Sequence, residues 1–234
     1  MPRKQVDPER RAEIGRERRA KTRAKILAAA FEVFGEEDGL FARIEDIADR
    51  AEVTRATFYN HFAGMAELRE ALTREVTHDF LSSVTHTISA MPDARARASA
   101  AVRFYLHRAR GDRQWGWSML NMSASGYIFG AETFERADRV IAEGIEDGGF
   151  DIPSSELGRD IILGTSLAAM GSLVRREMPE DYPEAVAGYI LHALRVPYET
   201  AREIAHLPLP KLESPSPDFR RIDPLETVDP DRQD

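Results

Sequence analysis

The sequence predicts an all-α protein, in which a small three-helix N-terminal domain precedes a larger helical domain. Three observations predict it. Apolar residues recur at three- and four-residue spacing along most of the chain, no segment sustains the alternation of a half-buried strand, and glycine and proline clusters cut the pattern into pieces of helix length.

Residues 1–19 are polar and lack an apolar stripe, and they read as a flexible basic arm. A helix begins near Ala20, carrying Ile26, Leu27, Ala30, Phe31 and Phe34 on one face and ending at Gly35 and Asp38-Gly39. Two short helices follow, one with Ile44, Ile47 and Ala48, the other with Phe58 and Phe62 one turn apart. After Gly64 a long helical stretch runs through Leu68, Leu72, Val76, Phe80, Leu81, Val84 and Ile88 to Met91-Pro92.

Ala94 to about Arg110 is the next helix, with a break at Gly111-Asp112. An aromatic, glycine-interrupted segment spans Trp115 to Phe129, and Phe134 to Ile145 is a helix that fails at Gly148-Gly149. Glu156 to Arg176 is a strong helix capped by Ser154 or Ser155 and closed by Pro179. Pro183 to about His206 is the last, interrupted or kinked near Pro197. From Leu207 the chain holds six of its 13 prolines and seven acids against four bases, the composition of a disordered or surface-draped tail. The expected domains are therefore 1–19, 20–66, 67–206 and 207–234.

Composition narrows the function classes. The 234 residues include no cysteine, so neither a disulfide framework nor a thiolate metal site is available, which fits a cytoplasmic protein. The uncharged stretches Gln114–Ala131 and Ile161–Val174 are too polar and too short, respectively, for a membrane span, and no secretory signal is visible. Without a secretory route, Asn121-Met122-Ser123 is only a formal glycosylation sequon. The net charge is −8, yet residues 1–25 carry ten Lys/Arg against four acids, so +6 there leaves −14 for the remainder. A basic end on an acidic body directs one end of the molecule toward an anionic partner. A solvated N-terminus with chance arginine enrichment has the same composition.

The residues from Ile44 to Phe62 carry the sharpest signal. Two short helices meet in a tight turn around Glu52-Val53, with Ala48 small enough for close approach and Ile44, Ile47, Val53, Phe58 and Phe62 as the core. Thr54 is placed to N-cap the second helix, whose outer face offers Arg55, Thr57, Tyr59, Asn60 and His61. Such side chains hydrogen-bond base edges and phosphates, the work of a helix-turn-helix on double-stranded DNA.

This segment resembles the TetR family of bacterial repressors, whose signature combines D-I-A, a short spacer, A-G-V-S and Y-x-H-F. The chain has Asp46-Ile47-Ala48, Ala51-Glu52-Val53-Thr54 and Tyr59-Asn60-His61-Phe62, then Glu67-Leu68 where the family often has K-x-x-L. The match covers roughly residues 20–72. The resemblance implies phosphate contacts from Tyr59 and His61 and base contacts from Arg55, Thr57 and Asn60; the alternative is that Tyr59 and His61 only cap a small core. Three positions depart from the pattern. Glu52 replaces the turn glycine, so a left-handed backbone there carries strain. Arg43 stands near the usual capping hydroxyl and can still grip a phosphate. Met65 replaces a phosphate-binding lysine.

The resemblance also implies a helical ligand-binding and dimerisation body. A candidate pocket is Phe104, His107, Trp115, Trp117, Met119, Met122, Tyr127 and Phe129, suited to a mostly hydrophobic small-molecule effector, although aromatics at helical spacing serve equally as plain core. A homodimer is expected through the last two helices, about 156–176 and 183–206. Gly164, Ala168 and Gly171 offer a small-residue stripe, and Leu163, Leu167, Met170, Val174, Val186, Ile190 and Leu194 offer apolar area. A repressor released from a palindromic operator follows from these expectations, with no cofactor or metal. The competing reading keeps the same DNA-binding fold without a small-molecule effector, acting through a protein partner or as an architectural or division factor. Catalysis is not expected. Gly164-Thr165-Ser166-Leu167-Ala168 lacks the last glycine of a nucleophile elbow and sits in a helix, His78 and His86 form no metal set, and no phosphate loop is present.

Overall fold

A computed structural model describes residues 8–76, 78–123, 129 and 131–213. Among these residues there are eleven α-helices, one 3₁₀ turn and no strand. The helices are α1 (Pro8–Phe34), α2 (Ile44–Arg50), α3 (Arg55–Tyr59), α4 (Met65–Val76), α5 (His78–Ser89), α6 (Ala94–Gly111), α7 (Arg113–Met122), α8 (Ala131–Glu146), α9 (Ser155–Arg175), α10 (Tyr182–Ala193) and α11 (Tyr198–Ala205). The expected all-α architecture is thus observed, and its boundaries differ in instructive ways.

The largest difference is at the start. The arm expected to be flexible through residue 19 is helical from Pro8. Residues 9–21 are exposed on every side, so no apolar stripe marks them. Their alanines, arginines and glutamates are good helix formers, and proline suits a first helical turn. The segment is therefore a solvated extension of the helix whose C-terminal half is buried.

That buried half organises the first domain. Ile26, Ala30 and Phe34 of α1 meet Ile47, Ala51, Phe58 and Phe62, all fully or almost fully buried. Leu68 and Leu72 of α4 are fully buried in the core, and α4 packs against α1. The stretch expected to be helical from Leu68 to Ile88 is helical on both sides of residue 77, as α4 and α5.

In the larger domain, α6 is the central element, packed against α5, α7, α8, α9 and α10. Ser154 caps α9 as the sequence suggested, accepting from the Leu157 amide at 3.3 Å, and Asp112, expected only as a break, caps α7 by accepting from the Trp115 amide at 2.9 Å. Gly116 lets α7 lie close to α9, since a Cβ there would meet Val174 Cγ1 at 2.5 Å. Helix α9 has the length and composition of a bilayer span, but it packs among α6, α7, α8 and α10 as a core helix. The last expected helix is two, because Arg195 adopts a left-handed φ of 72° and Pro197 starts α11 anew. Residues 207–213 run along the surface, where the Leu207 carbonyl accepts from Arg103 and the Glu213 amide donates to Thr87. The remainder of the proline-rich tail, from residue 214, lies outside the described residues.

Candidate nucleic-acid interface and effector cavity

Helices α2 and α3 meet through a turn with the backbone geometry that the sequence anticipated. Glu52 takes a φ of 50°, the left-handed region where a glycine would sit without strain. Its carboxylate pairs with Lys25 at 2.6 Å, and that hydrogen bond and charge hold the Glu52 carboxyl below its ordinary range. Thr54 N-caps α3, accepting from the Thr57 amide at 3.1 Å, and its hydroxyl lies 2.9 Å from that of Thr57. At the start of α2 the Arg43 amide donates to Asp46 at 2.7 Å, so a carboxylate supplies the cap that Arg43 cannot. The Arg43 guanidinium also leans on Asp46 but stays exposed.

Arg55 and Tyr59 of α3 and Asn60, its C-cap residue, are exposed. Arg55 is held by Glu45 at 2.8 Å, which fixes its direction while leaving it 60% exposed. Thr57 is half-buried and shares its hydroxyl with the cap, so it offers less to a partner than its neighbours do. His61 is half-buried, with Nδ1 buried and unpartnered. Burial, then Arg19 and Arg23, push its pKa down, so the neutral ring with one N–H is the form present near pH 7.

Two arginines missed by the sequence analysis complete this face. Arg19 donates to the Asn60 carbonyl at 2.9 Å, and the Arg23 guanidinium lies 4.8 Å from the Phe62 ring centroid. They are one helical turn apart, so α1 carries its basic extension directly past the C-terminal end of α3. The spacing was visible in the sequence, but only a helical residue 19 turns it into a shared face.

The second site is a cavity of about 280 Å³ between α5, α6, α8 and α9. Its apolar wall includes Val84, Ile88, Val102, Val140, Ile162 and Leu163, and its polar groups include Tyr105, Thr133 and Ser166. Burial pushes the Tyr105 phenol well up, keeping it protonated 3.2 Å from the Thr133 hydroxyl. Of the eight expected pocket residues, Phe129 lines this cavity. Trp115, Trp117, Met119, Met122 and Phe104 are buried elsewhere in the core, Trp117 under the Arg175 guanidinium. His107 bonds Glu184 at 2.9 Å on the α10 side of α6, and Tyr127 lies outside the described residues. Helix α7 packs among α1, α6 and α9, with Trp117 against Arg175 of α9 and Trp115 against Phe80 and Tyr105, so its aromatics form a packed bridge between the domains and do not line the cavity.

That bridge is polar as well as aromatic. Ser118 donates to the Phe31 carbonyl at 2.8 Å, and Asn121 donates to the carbonyls of Phe34 and Glu36 at 2.8 and 2.9 Å. These side chains satisfy the end of α1. Trp115, on the same helix, contacts Phe80 and Tyr105, and Tyr105 reaches the cavity.

Comparison with known proteins decides the family. The profile described as "Bacterial regulatory proteins, tetR family" matches residues 26–72, and "Tetracyclin repressor-like, C-terminal domain" matches residues 94–207. This chain belongs to the TetR family. Members are transcriptional regulators and not enzymes. The HTH-type transcriptional activator FasR of Mycolicibacterium smegmatis is 27% identical over 184 residues, covering 75% of this chain and 82% of FasR. The structure of RolR in complex with resorcinol superposes with a TM-score of 0.65 at 23% identity, covering 84% of this chain and 99% of RolR. The Bacillus subtilis regulator FadR in complex with stearoyl-CoA gives 0.55 at 19% identity, covering 73% and 96%. At such identities the two structures establish the shared fold.

In TetR-family terms, the first profile spans the helix-turn-helix and the buried half of α1. The second begins at α6 and ends at residue 207. The cavity lies in the TetR-family body, but two of its walls come from α5 and α8, which supplied none of the eight residues expected from the sequence to line a pocket.

Proposed function

We propose that this TetR-family protein is a homodimeric repressor that leaves a near-palindromic operator when a mostly hydrophobic small molecule occupies the cavity between α5, α6, α8 and α9. One observation carries this reading. The cavity wall at Tyr105 touches Trp115 of α7, the helix whose Ser118 and Asn121 hold the end of α1 and with it the DNA-binding domain. A ligand that favours one packing of this aromatic cluster would bias the separation of the two recognition helices. Resorcinol in RolR and stearoyl-CoA in FadR support a small-molecule effector.

DNA contacts are assigned to Arg55, Thr57, Asn60, Tyr59 and His61, with Thr54 as the cap and Arg43 at the phosphate side. In this reading the protein acts in the cytoplasm. The dimer surface is revised from the sequence expectation. Leu163, Met170, Val174, Ile190 and Leu194 are buried in their own subunit, and Gly171 faces Arg175 and Leu120. The available face is instead Leu157, Ile161, Gly164 and Ala168 on α9, spaced four, three and four residues apart, and Tyr189 is exposed on α10. Gly164 has open space above it, leaving room for a second helix.

The test is fluorescence anisotropy of the purified protein on a fragment of its own promoter, followed by titration of hydrophobic ligands. Two-fold binding with release by a ligand supports the proposal. Tight binding that no ligand alters, at many dispersed sites in a genome-wide map, favours the effector-free reading.

A further inference from the structure

The polar groups around the cavity select a ligand class, an inference that rests on the effector reading above. Three arginines line the cavity, Arg97, Arg136 and Arg139, against one acid, Glu143. Two of them are neutralised. Arg97 donates to Glu143 at 2.5 Å and to the Met91 carbonyl at 2.9 Å, while Arg136 donates twice to Glu132 at 2.8 and 3.1 Å. Arg139 is exposed and, among the described residues, has no hydrogen-bond or ion-pair partner. It therefore marks the solvent side of the cavity with an uncompensated positive charge, on a protein whose net charge is −8.

The α9 wall carries the second polar feature. Ser166 is 3% exposed, and its hydroxyl oxygen is buried without a partner. A buried hydroxyl with nothing to bond is costly, and a ligand that supplies the missing partner recovers that cost. Between these groups the lining is apolar, from Val102 and Val140 to Ile162 and Leu163. The volume of about 280 Å³ lies at the small end of ligand sites. At ordinary interior packing density it holds roughly a dozen non-hydrogen atoms.

We infer that the effector is a compact amphipathic carboxylate. Its head group meets the planar fork of Arg139, which matches a carboxylate in geometry and charge. Its body fills the apolar wall, and a polar group at the far end bonds Ser166. A neutral alcohol of the same shape keeps the apolar packing but forgoes the charge-assisted pair, and an amine places a cation against Arg139.

Calorimetry on the full-length protein tests this with two isosteric series, octanoate, octanol and octylamine, and 3-phenylpropanoate with its alcohol and amine. In at least one series the carboxylate should bind at least tenfold more tightly than the alcohol, with the amine weakest. Arg139→Gln, an exposed change that leaves the core intact, should bring the carboxylate to the level of the alcohol. Adding a 4-hydroxyl to 3-phenylpropanoate should tighten binding to the wild type and not to Ser166→Ala. Equal affinity for carboxylate and alcohol, or a carboxylate preference that survives Arg139→Gln, overturns the inference while leaving the cavity as an effector site. Binding of none of the probes overturns the inference and removes support from the effector reading as well. Binding that survives Ser166→Leu, which fills the cavity, places the ligand elsewhere and overturns both.

Discussion

Replacing Asn121 with alanine tests the interlock between the two domains. Asn121 is 5% exposed, and its amide donates to the Phe34 and Glu36 carbonyls. The two effects are unequal. The Glu36 carbonyl also accepts from the Gly39 amide at 3.1 Å, so removing its second donor costs about 0.5–1 kcal/mol, the net worth of one hydrogen bond. The Phe34 carbonyl, at the last residue of α1, is buried and left unsatisfied, which costs about 1–3 kcal/mol. The sum is a destabilisation of about 1.5–4 kcal/mol, or roughly 3–16 °C in Tm for a chain of this size. Urea unfolding of both proteins at one fixed protein concentration measures it, because association contributes to the apparent stability. Ser99→Ala is the matched control. Ser99 is 1% exposed with its hydroxyl unpartnered, so its removal should be neutral or slightly stabilising. If Asn121→Ala unfolds within about 0.5 kcal/mol of the wild type, the interlock does not stabilise the fold and the reasoning fails.

Four further outcomes are expected. Deleting residues 1–19 removes seven Lys/Arg, and the slope of log affinity against log salt should fall by about 0.9 for each phosphate no longer neutralised; an unchanged slope means that the extension does not touch DNA. Arg55→Ala should cost about 1–3 kcal/mol in operator binding and relax the preference at one base pair, readable in a panel of operator variants, whereas a uniform weakening across sequences would make Arg55 a phosphate contact. Ala168→Arg places a charge on the exposed α9 face; sedimentation should show monomers with normal helicity, and retention of the dimer would move the interface elsewhere. Around Glu184, burial opposes ionisation, but hydrogen bonds from His107 and Arg103 outweigh it and hold the carboxyl below its ordinary value of 4.5. Its contribution to stability is therefore present above about pH 4.5 and is lost as pH falls through the lower folded value. Glu184→Gln should flatten that acid limb in pH-dependent denaturation, and an identical acid limb would show that the cluster contributes nothing there.

The helix-turn-helix was legible because its information is local. Thr54 caps α3 through the amide three residues on, Phe58 and Phe62 meet one turn apart, and Glu52 occupies the turn where the family resemblance implied a glycine and its left-handed backbone. The exposed half of α1 escaped notice because helix propensity without burial leaves no apolar period to read. The aromatic residues of α7 were misplaced for the opposite reason. Periodicity shows that Trp115 and Met119 are inside, but not whether the neighbour across from them is another helix or an empty space.

By itself the sequence determined the helical class, the position of the helix-turn-helix, the residues presented on α3 and the basic character of the N-terminal end. These follow from residue type and short-range spacing. Only the tertiary structure decided that the cavity lies between α5, α6, α8 and α9, and that Arg139 and Ser166 have no protein partner among the described residues. It also decided that the apolar residues of α9 divide between the subunit's own core and an open face. The physical reason is that a cavity, an unpaired charge or a free surface is defined by what fails to reach it, and that depends on how all the helices pack at once.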